Sequence, residues 1–161
     1  MKIAQLYAFC LACLTGILSV TAFSQTLTIS ADGTEVTDRK FGLIWRRCVE
    51  GMNWDGAMCS GVANTFTYEA ALRQAMVKVG SASPVWRLPD VNELSSIADR
   101  GRINAAVDPA AFPVTPPNWF WSASPYLGNS GFARVVNFFN GSVYVSNRNH
   151  SGYVRLVRTG Q

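Results

Sequence analysis

Residues 134–147, RVVNFFNGSVYVSN, decide the fold of the C-terminal part of this chain. Alternating residues on both sides of Asn140-Gly141 predict a β-hairpin, because an Asn-Gly pair readily adopts the positive φ angles that a two-residue loop requires. Pairing outward from that loop places Phe139 opposite Ser142 and then Phe138 opposite Val143. One face of the hairpin is then apolar and must be covered by the rest of the domain. This expected core face consists of Phe138, Val143, Val136 and Val145.

The other face of the hairpin and the tail after it form a candidate ligand-binding surface. Residues 146–152 contain no apolar side chain, and the segment is rich in the Asn, Ser, Gly, Tyr and Arg residues that binding loops favour. The candidate ligand-binding residues are Asn137, Phe139, Tyr144, Ser146, Asn147, Arg148, Asn149, His150 and Tyr153.

An aromatic strand is predicted shortly before the hairpin. Trp119 and Trp121 alternate with Phe120, which leaves open whether one side of this strand reaches the surface. An exposed ring next to Phe139 and Tyr144 would suit stacking on a sugar.

The N-terminal segment 1–24 is predicted to be a secretory signal peptide. It has Lys2, an apolar run over residues 3–20 and small residues before Gln25. A retained membrane anchor is the alternative, and lipid modification at Cys13 is a weaker one. Cleavage would leave residues 25–31 as an N-terminal strand or tether and residues 32–161 as one domain, periplasmic or secreted to the cell surface, with no membrane span.

The cysteine usage agrees with export. Removal of the leader leaves Cys48 and Cys59, and an even pair in an exported chain predicts one disulfide. Two cysteines and the distant His150 do not complete a tetrahedral zinc site, so no metal is expected.

The net charge of the chain gives no indication of a nucleic-acid partner. The chain has 14 basic and 10 acidic residues, a net charge of +4, which is too small to indicate nucleic acid. Eleven of the basic residues are arginine, and arginine suits bidentate contact with carboxylate, sulfate or phosphate. A protein or anionic glycan ligand therefore stays open, as does the use of these arginines in surface pairs and in stacks on tryptophan.

Two helices are indicated in the middle of the chain. Thr67 is the expected N-cap of the first, whose apolar residues recur at helical spacing up to Gly80. Asp90 and Glu93 form a capping-box pattern at the start of the second, with Gly101 past its end. Helices grouped early and strands grouped late predict an α+β fold, in which two helices pack on antiparallel strands with a C-terminal β-hairpin.

Six ordered motifs between residues 32 and 158 resemble the Lcl C-terminal domain family, a bacterial extracytoplasmic family. The motifs are Gly42–Trp45, Trp54–Gly56 inside the cysteine loop, Trp86–Pro89 followed by Glu93-Leu94, Phe112-Pro113, Trp119–Ser122 and Val154–Arg158. The resemblance implies a C-type-lectin-like fold with ligand sites among the late strands and loops. The sequence triplets and carboxylate clusters of calcium-dependent lectins are absent from this sequence, so no cofactor is expected.

The predicted function is therefore a non-enzymatic ligand-binding module, adhesin-like or lectin-like, whose ligand is a glycan or a protein. The alternative is a structural component of a surface assembly such as a pilus or envelope complex, in which the chain forms a homo-oligomer. An enzyme is the least favoured class, because His150 is the only histidine and no nucleophile is recognisable by its sequence context.

Overall fold

The computed structural model describes residues 27–77 and 85–160. The predicted signal peptide, its membrane-anchor and lipid-anchor alternatives, and the predicted stop of the first helix at Gly80 lie outside these residues. The described elements are β1 (Leu27–Ile29), β2 (Glu35–Asp38), β3 (Leu43–Arg46), β4 (Met52–Trp54), β5 (Cys59–Gly61), β6 (Thr65–Phe66), α1 (Tyr68–Val77), α2 (Val91–Ser96), β7 (Trp119–Pro125), β8 (Phe132–Asn137), β9 (Ser142–Asn147), β10 (Gly152–Tyr153) and β11 (Val157–Thr159). Neither described helix has the length and apolar character needed to cross a membrane.

The strands are arranged in three sheets within the described residues. A four-stranded sheet has the order β1-β2-β3-β11, a five-stranded sheet has the order β6-β10-β7-β8-β9, and β4 and β5 form a separate pair. The contact between β10 and β7 is parallel, and the other pairings are antiparallel. The hairpin of β8 and β9 therefore lies at one side of the larger sheet, with β9 at its edge.

Two clusters of buried side chains cover the two faces of the five-stranded sheet. Phe120 and Val136 belong to a cluster with residues of α2 and of the four-stranded sheet. Trp121 and Val135 belong to a second cluster with residues of α1. Successive residues of a strand point to opposite faces, so β7 and β8 are buried on both sides.

The expected C-type-lectin-like α+β arrangement, with two helices packed on antiparallel strands, is wrong. Strands contain 35% of the described residues and helices 12%, so the fold is mostly β-sheet. Several of the additional strands have only two or three residues, which is too short to show an alternating pattern in the sequence. The two helices have 10 and 6 residues and are minor elements of the domain.

The local signals for the helix starts are present in the structure. Asp90 accepts the backbone N–H groups of Asn92 and Glu93, while the Glu93 carboxylate accepts the N–H of Asp90, so the capping box is confirmed. At the start of α1, Thr67 Oγ1 accepts the N–H of Ala70 at 3.4 Å. Caps of this kind satisfy N–H groups that have no partner inside the helix.

The hairpin is present, but the predicted register is wrong by two residues. Asn137 pairs with Ser142, so the loop has four residues, and the Asn137 carbonyl accepts the N–H of Gly141 at 2.7 Å. A two-residue type I′ loop needs φ > 0 at both central residues, whereas Gly141 has φ of 73° and Asn140 is not in the positive region. Phe138 lies in the loop and is completely buried, which holds this wider turn against the core.

The expected apolar face of the hairpin is only half buried. Phe138 and Val136 are in the core, as predicted, but Val143 and Val145 are 36% and 43% exposed. In the described residues no strand lies beyond β9. The side chains of this edge strand therefore lose the cover that β7 and β8 receive.

The predicted disulfide between Cys48 and Cys59 is confirmed. It connects the segment after β3 to β5, and β5 pairs with β4. The cysteine loop is therefore a short hairpin that the disulfide staples.

Candidate functional site

The structure divides the nine candidate ligand-binding residues into two groups. Asn137, Phe139 and Tyr144 lie toward the turn end of the hairpin, and residues 146–150 form the other end of β9 and the turn after it. Tyr153 belongs to neither group. It is partly buried, and its ring lies 5.5 Å from the ring of Phe120.

The turn end carries a row of side chains on one face of the five-stranded sheet. Trp119, Asn137 and Ser142 are direct cross-strand neighbours in β7, β8 and β9, so their side chains project from the same face. The next row on this face ends at Tyr144, which is opposite Val135. Val135 belongs to the cluster with α1, so the row lies on the α1 side of the sheet.

Two aromatic rings of this face remain open to solvent. Trp119 is 37% exposed and Tyr144 is 45% exposed, although Trp121 and Val135 between them are buried. Asn140 lies beside Tyr144, and its Nδ2 donates to the Tyr144 hydroxyl at 3.4 Å. We define the display surface as Trp119, Asn137, Asn140, Ser142 and Tyr144.

The polar atoms of the display surface are held by the turn. Asn137 Oδ1 accepts the backbone N–H of Phe139 at 2.9 Å, and Asn140 Oδ1 accepts the N–H of Ser142 at 3.0 Å. The side-chain oxygen of each asparagine thus accepts a hydrogen bond inside the hairpin, which fixes the direction of the side chain. The Nδ2 group of Asn137 and the hydroxyls of Ser142 and Tyr144 are the groups left to bond a ligand.

Phe139 extends the apolar character of the turn. The residue is 48% exposed, while its backbone carbonyl oxygen accepts the N–H of Asn104 at 2.9 Å. This bond attaches the turn to the loop after α2. The aromatic side chain is therefore presented from a braced backbone.

The tail group is occupied mainly by contacts within the domain. Arg148 Nε donates to the carbonyl oxygen of Phe132 at 3.3 Å, and its guanidinium lies 4.6 Å from the ring centre of Tyr68. Burial raises the pKa of Tyr68, and the Arg148 charge acts in the opposite direction. Arg148 thus joins the tail to α1, a structural role that competes with ligand contact.

The rest of the tail forms a tight turn. Asn147 Oδ1 accepts the N–H of Asn149 at 2.9 Å, and the Asn147 carbonyl accepts the N–H of His150 at 2.9 Å. Asn149 and His150 are exposed, but Ser146 is only 4% exposed. Ser146 is therefore poorly placed to contact a ligand.

Ser146 and His150 form a polar pair that invites a catalytic interpretation. Ser146 Oγ lies 3.3 Å from His150 Nδ1, a separation within reach of a nucleophile and its base. The serine is buried, however, and no carboxylate of the described residues bonds His150. Burial of the hydroxyl disfavours Ser146 as a nucleophile, because a substrate must reach the attacking oxygen.

Three display-surface residues were not among the nine candidates. Asn140 and Ser142 are residues of the hairpin itself, whereas the more distant residue is Trp119 of β7. Its alternation with Phe120 and Trp121 is the same on any aromatic strand. Trp119 is the first residue of β7 and is partly exposed, whereas Trp121, two residues later on the same face, is buried in the cluster with α1. Only the pairing with Asn137 reveals that its ring is next to the hairpin.

A separate cavity lies near the cysteine loop. It has a volume of about 180 Å³ and is lined by Thr34, Arg46, Cys48, Glu50, Met52, Asn53 and Trp54. None of the nine candidate residues lines it. The display surface exposes Trp119 and Tyr144 on one face of a sheet, which suits contact with a larger molecule more than enclosure of a small one.

The comparisons with known proteins agree with the motif order. The Lcl C-terminal domain family matches over residues 34–158, and the predicted family is thus confirmed. A search of the curated proteins finds no match.

Proposed function

Because this chain belongs to the Lcl C-terminal domain family, we propose that it is a non-enzymatic, extracytoplasmic module that binds a glycan or a protein, with a glycan favoured. The observation that carries the proposal is the display surface, in which the exposed rings of Trp119 and Tyr144 flank the side chains of Asn137 and Ser142. The extracytoplasmic location rests on the N-terminal apolar run and on the Cys48–Cys59 disulfide.

The chemistry of the display surface favours a sugar. Aromatic rings present a flat apolar face with one polar end, which matches the C–H face of a pyranose. The free amide of Asn137 and the hydroxyls of Ser142 and Tyr144 supply both donors and acceptors for sugar hydroxyls. Because the hairpin fixes these groups before a ligand arrives, little conformational entropy is lost on binding.

The display surface contains no charged side chain. Binding through it should therefore depend little on ionic strength, unlike binding of an anionic ligand by surface arginines. A salt titration of the bound fraction separates these two modes.

The proposal is tested with a glycan array and a panel of surface proteins, probed with the full chain and two variants. Trp119→Ala should weaken binding about tenfold, as expected when one ring that stacks on the ligand is removed. Phe41→Ala is the matched control, because Phe41 is 51% exposed but lies outside the display surface. Equal binding by the Trp119→Ala variant and the unchanged chain would refute this site.

The alternative function, a structural component of a surface assembly, makes a different prediction. An assembly would bury the display surface between subunits, and the full chain would then bind neither glycans nor other proteins. Retained ligand binding by the assembled form would argue against that role.

A further inference from the structure

The outer edge of β9 is an unusually open strand edge. β9 is the last strand of the five-stranded sheet, and it exposes Val143, Tyr144 and Val145 by 36%, 45% and 43%. Natural edge strands are commonly protected by charged residues, proline or bulges. β9 contains neither a charged residue nor a proline, and its register with β8 is continuous over six residues, without a bulge.

The backbone of this edge offers hydrogen-bonding groups in an alternating pattern. The N–H of Arg148 donates to the carbonyl of Gly131 at 3.0 Å, which makes the preceding pair, Phe132 and Asn147, a non-hydrogen-bonded one. In an antiparallel ladder the two kinds of pair alternate. Tyr144 therefore bonds to β8, whereas Val143 and Val145 direct their N–H and C=O groups away from the sheet.

The sequence of this strand is a palindrome. Residues 142–146 read Ser-Val-Tyr-Val-Ser, and the same side chains are met from either end. We propose that β9 pairs antiparallel with β9 of a second copy of this chain, about a two-fold axis at Tyr144. Val143 of each copy then lies opposite Val145 of the other, and the two serines are matched in the same way.

The backbone pattern agrees with this register. Val143 and Val145 are the residues whose backbone groups point outward, and in the proposed dimer they form the two hydrogen-bonded pairs. A two-fold interface needs a surface that is complementary to itself, and a palindromic strand meets that condition. Because β9 carries no charged side chain, the pairing brings no like charges of the two strands together.

The nearby arginines do not oppose this contact. Arg134, opposite Val145 on β8, is one strand removed from the edge. Arg148 is held over the Tyr68 ring. The dimer goes beyond the proposed ligand binding and does not depend on it, but it would place the two display surfaces side by side.

The register is tested by cysteine cross-linking in the full chain with Cys10→Ser and Cys13→Ser, so that the Cys48–Cys59 disulfide is otherwise the only cysteine pair. Tyr144→Cys should form a disulfide-linked dimer under mild oxidation, because facing residues of a non-hydrogen-bonded pair have Cα atoms about 4.5 Å apart. Val143→Cys is the matched control. Its two copies would be offset by two residues and roughly 8 Å apart, beyond disulfide reach. Cross-linking of Val143→Cys in preference to Tyr144→Cys, or of neither, overturns the proposal.

The association itself is tested by sedimentation velocity on the full chain that carries Cys10→Ser and Cys13→Ser and no introduced cysteine. We expect a species of twice the mass of one chain, with a Kd below about 1 mM. Val145→Lys should weaken this association at least tenfold, since each lysine would lie opposite the apolar Val143 of the other copy and only about 8 Å from the second lysine. Leu127→Lys adds the same charge at a residue that is 93% exposed and should have no effect. A monomer at every concentration, or equal effects of the two lysines, overturns the proposal.

Discussion

Arg155 gives the sharpest test of what holds this β-rich core together. Its side chain is completely buried, and its guanidinium donates to the carbonyl oxygens of Arg46 and Arg47 and to Thr115 Oγ1 at 2.8 Å. It also lies 4.7 Å from the ring centre of Phe112. Burial lowers the pKa of Arg155 to about 9, so the group remains charged at neutral pH. The Arg155 guanidinium thus connects the segment between β10 and β11 to the end of β3 and to the loop before β7.

The perturbation is Arg155→Met, which keeps an unbranched side chain but removes the three donated bonds. Hydrogen bonds to a charged group contribute about 2 kcal/mol each, so their loss costs ~6 kcal/mol. Removal of a buried charge also removes a desolvation penalty of roughly 3 kcal/mol. We therefore expect the free energy of unfolding to fall by about 3 kcal/mol, which corresponds to a decrease in Tm of roughly 10 °C.

The assay is equilibrium unfolding in guanidinium chloride, followed by tryptophan fluorescence with the disulfide intact. Arg73→Met is the matched control, because Arg73 is exposed on α1 and its replacement should change the free energy of unfolding by less than ~0.5 kcal/mol. An Arg155→Met protein as stable as the unchanged chain, or more stable, would show that the buried guanidinium does not stabilise the fold. In that case the desolvation penalty would outweigh the three hydrogen bonds.

Two further predictions concern single contacts in the fold. The Arg87 guanidinium, which donates to Glu93, holds the pKa of Glu93 below its usual value near 4.5. The ion pair between Arg87 and Glu93 therefore stabilises the fold above pH 4.5, and this stabilisation is lost as the pH falls through the lower folded-state pKa. In urea unfolding measured at several pH values, Glu93→Gln should reduce the decrease in the free energy of unfolding at acid pH. An unchanged pH profile would contradict a stabilising role of this ion pair. A Cβ at Gly152 would lie 2.9 Å from Nε1 of the buried Trp121, so Gly152→Ala should lower the free energy of unfolding by about 1–3 kcal/mol; thermal denaturation without such a loss would mean that Trp121 moves aside easily.

The predictions that came true concern contacts between residues close in the chain. Asp90 and Glu93 are three residues apart, and the capping box needs only the first turn of α2. The disulfide needed only two cysteines left after the predicted leader. The existence of the hairpin followed from Asn140-Gly141, because few residues tolerate the positive φ of Gly141.

The errors concern properties that depend on distant parts of the chain. The register of the hairpin failed because burial of Phe138 against the core selected a four-residue turn over the two-residue one. The fold class failed because strands as short as β6 and β10 gain their partners from far along the chain, with Phe66 paired to Gly152. Such strands leave no periodic pattern for a sequence to display.

The family, the helix caps, the disulfide and the presence of a terminal hairpin could all be predicted from the amino-acid sequence. These features follow from motif order or from residues whose backbone preferences act locally. The solvent exposure of the hairpin side chains depends on the packing of the whole domain, because Val143 and Val145 are exposed through the position of β9 at the sheet edge. The pairing of β7 with β8 also places Trp119 beside Asn137. Exposure and cross-strand proximity are set by the packing of whole sheets, and alternation along one strand does not encode them.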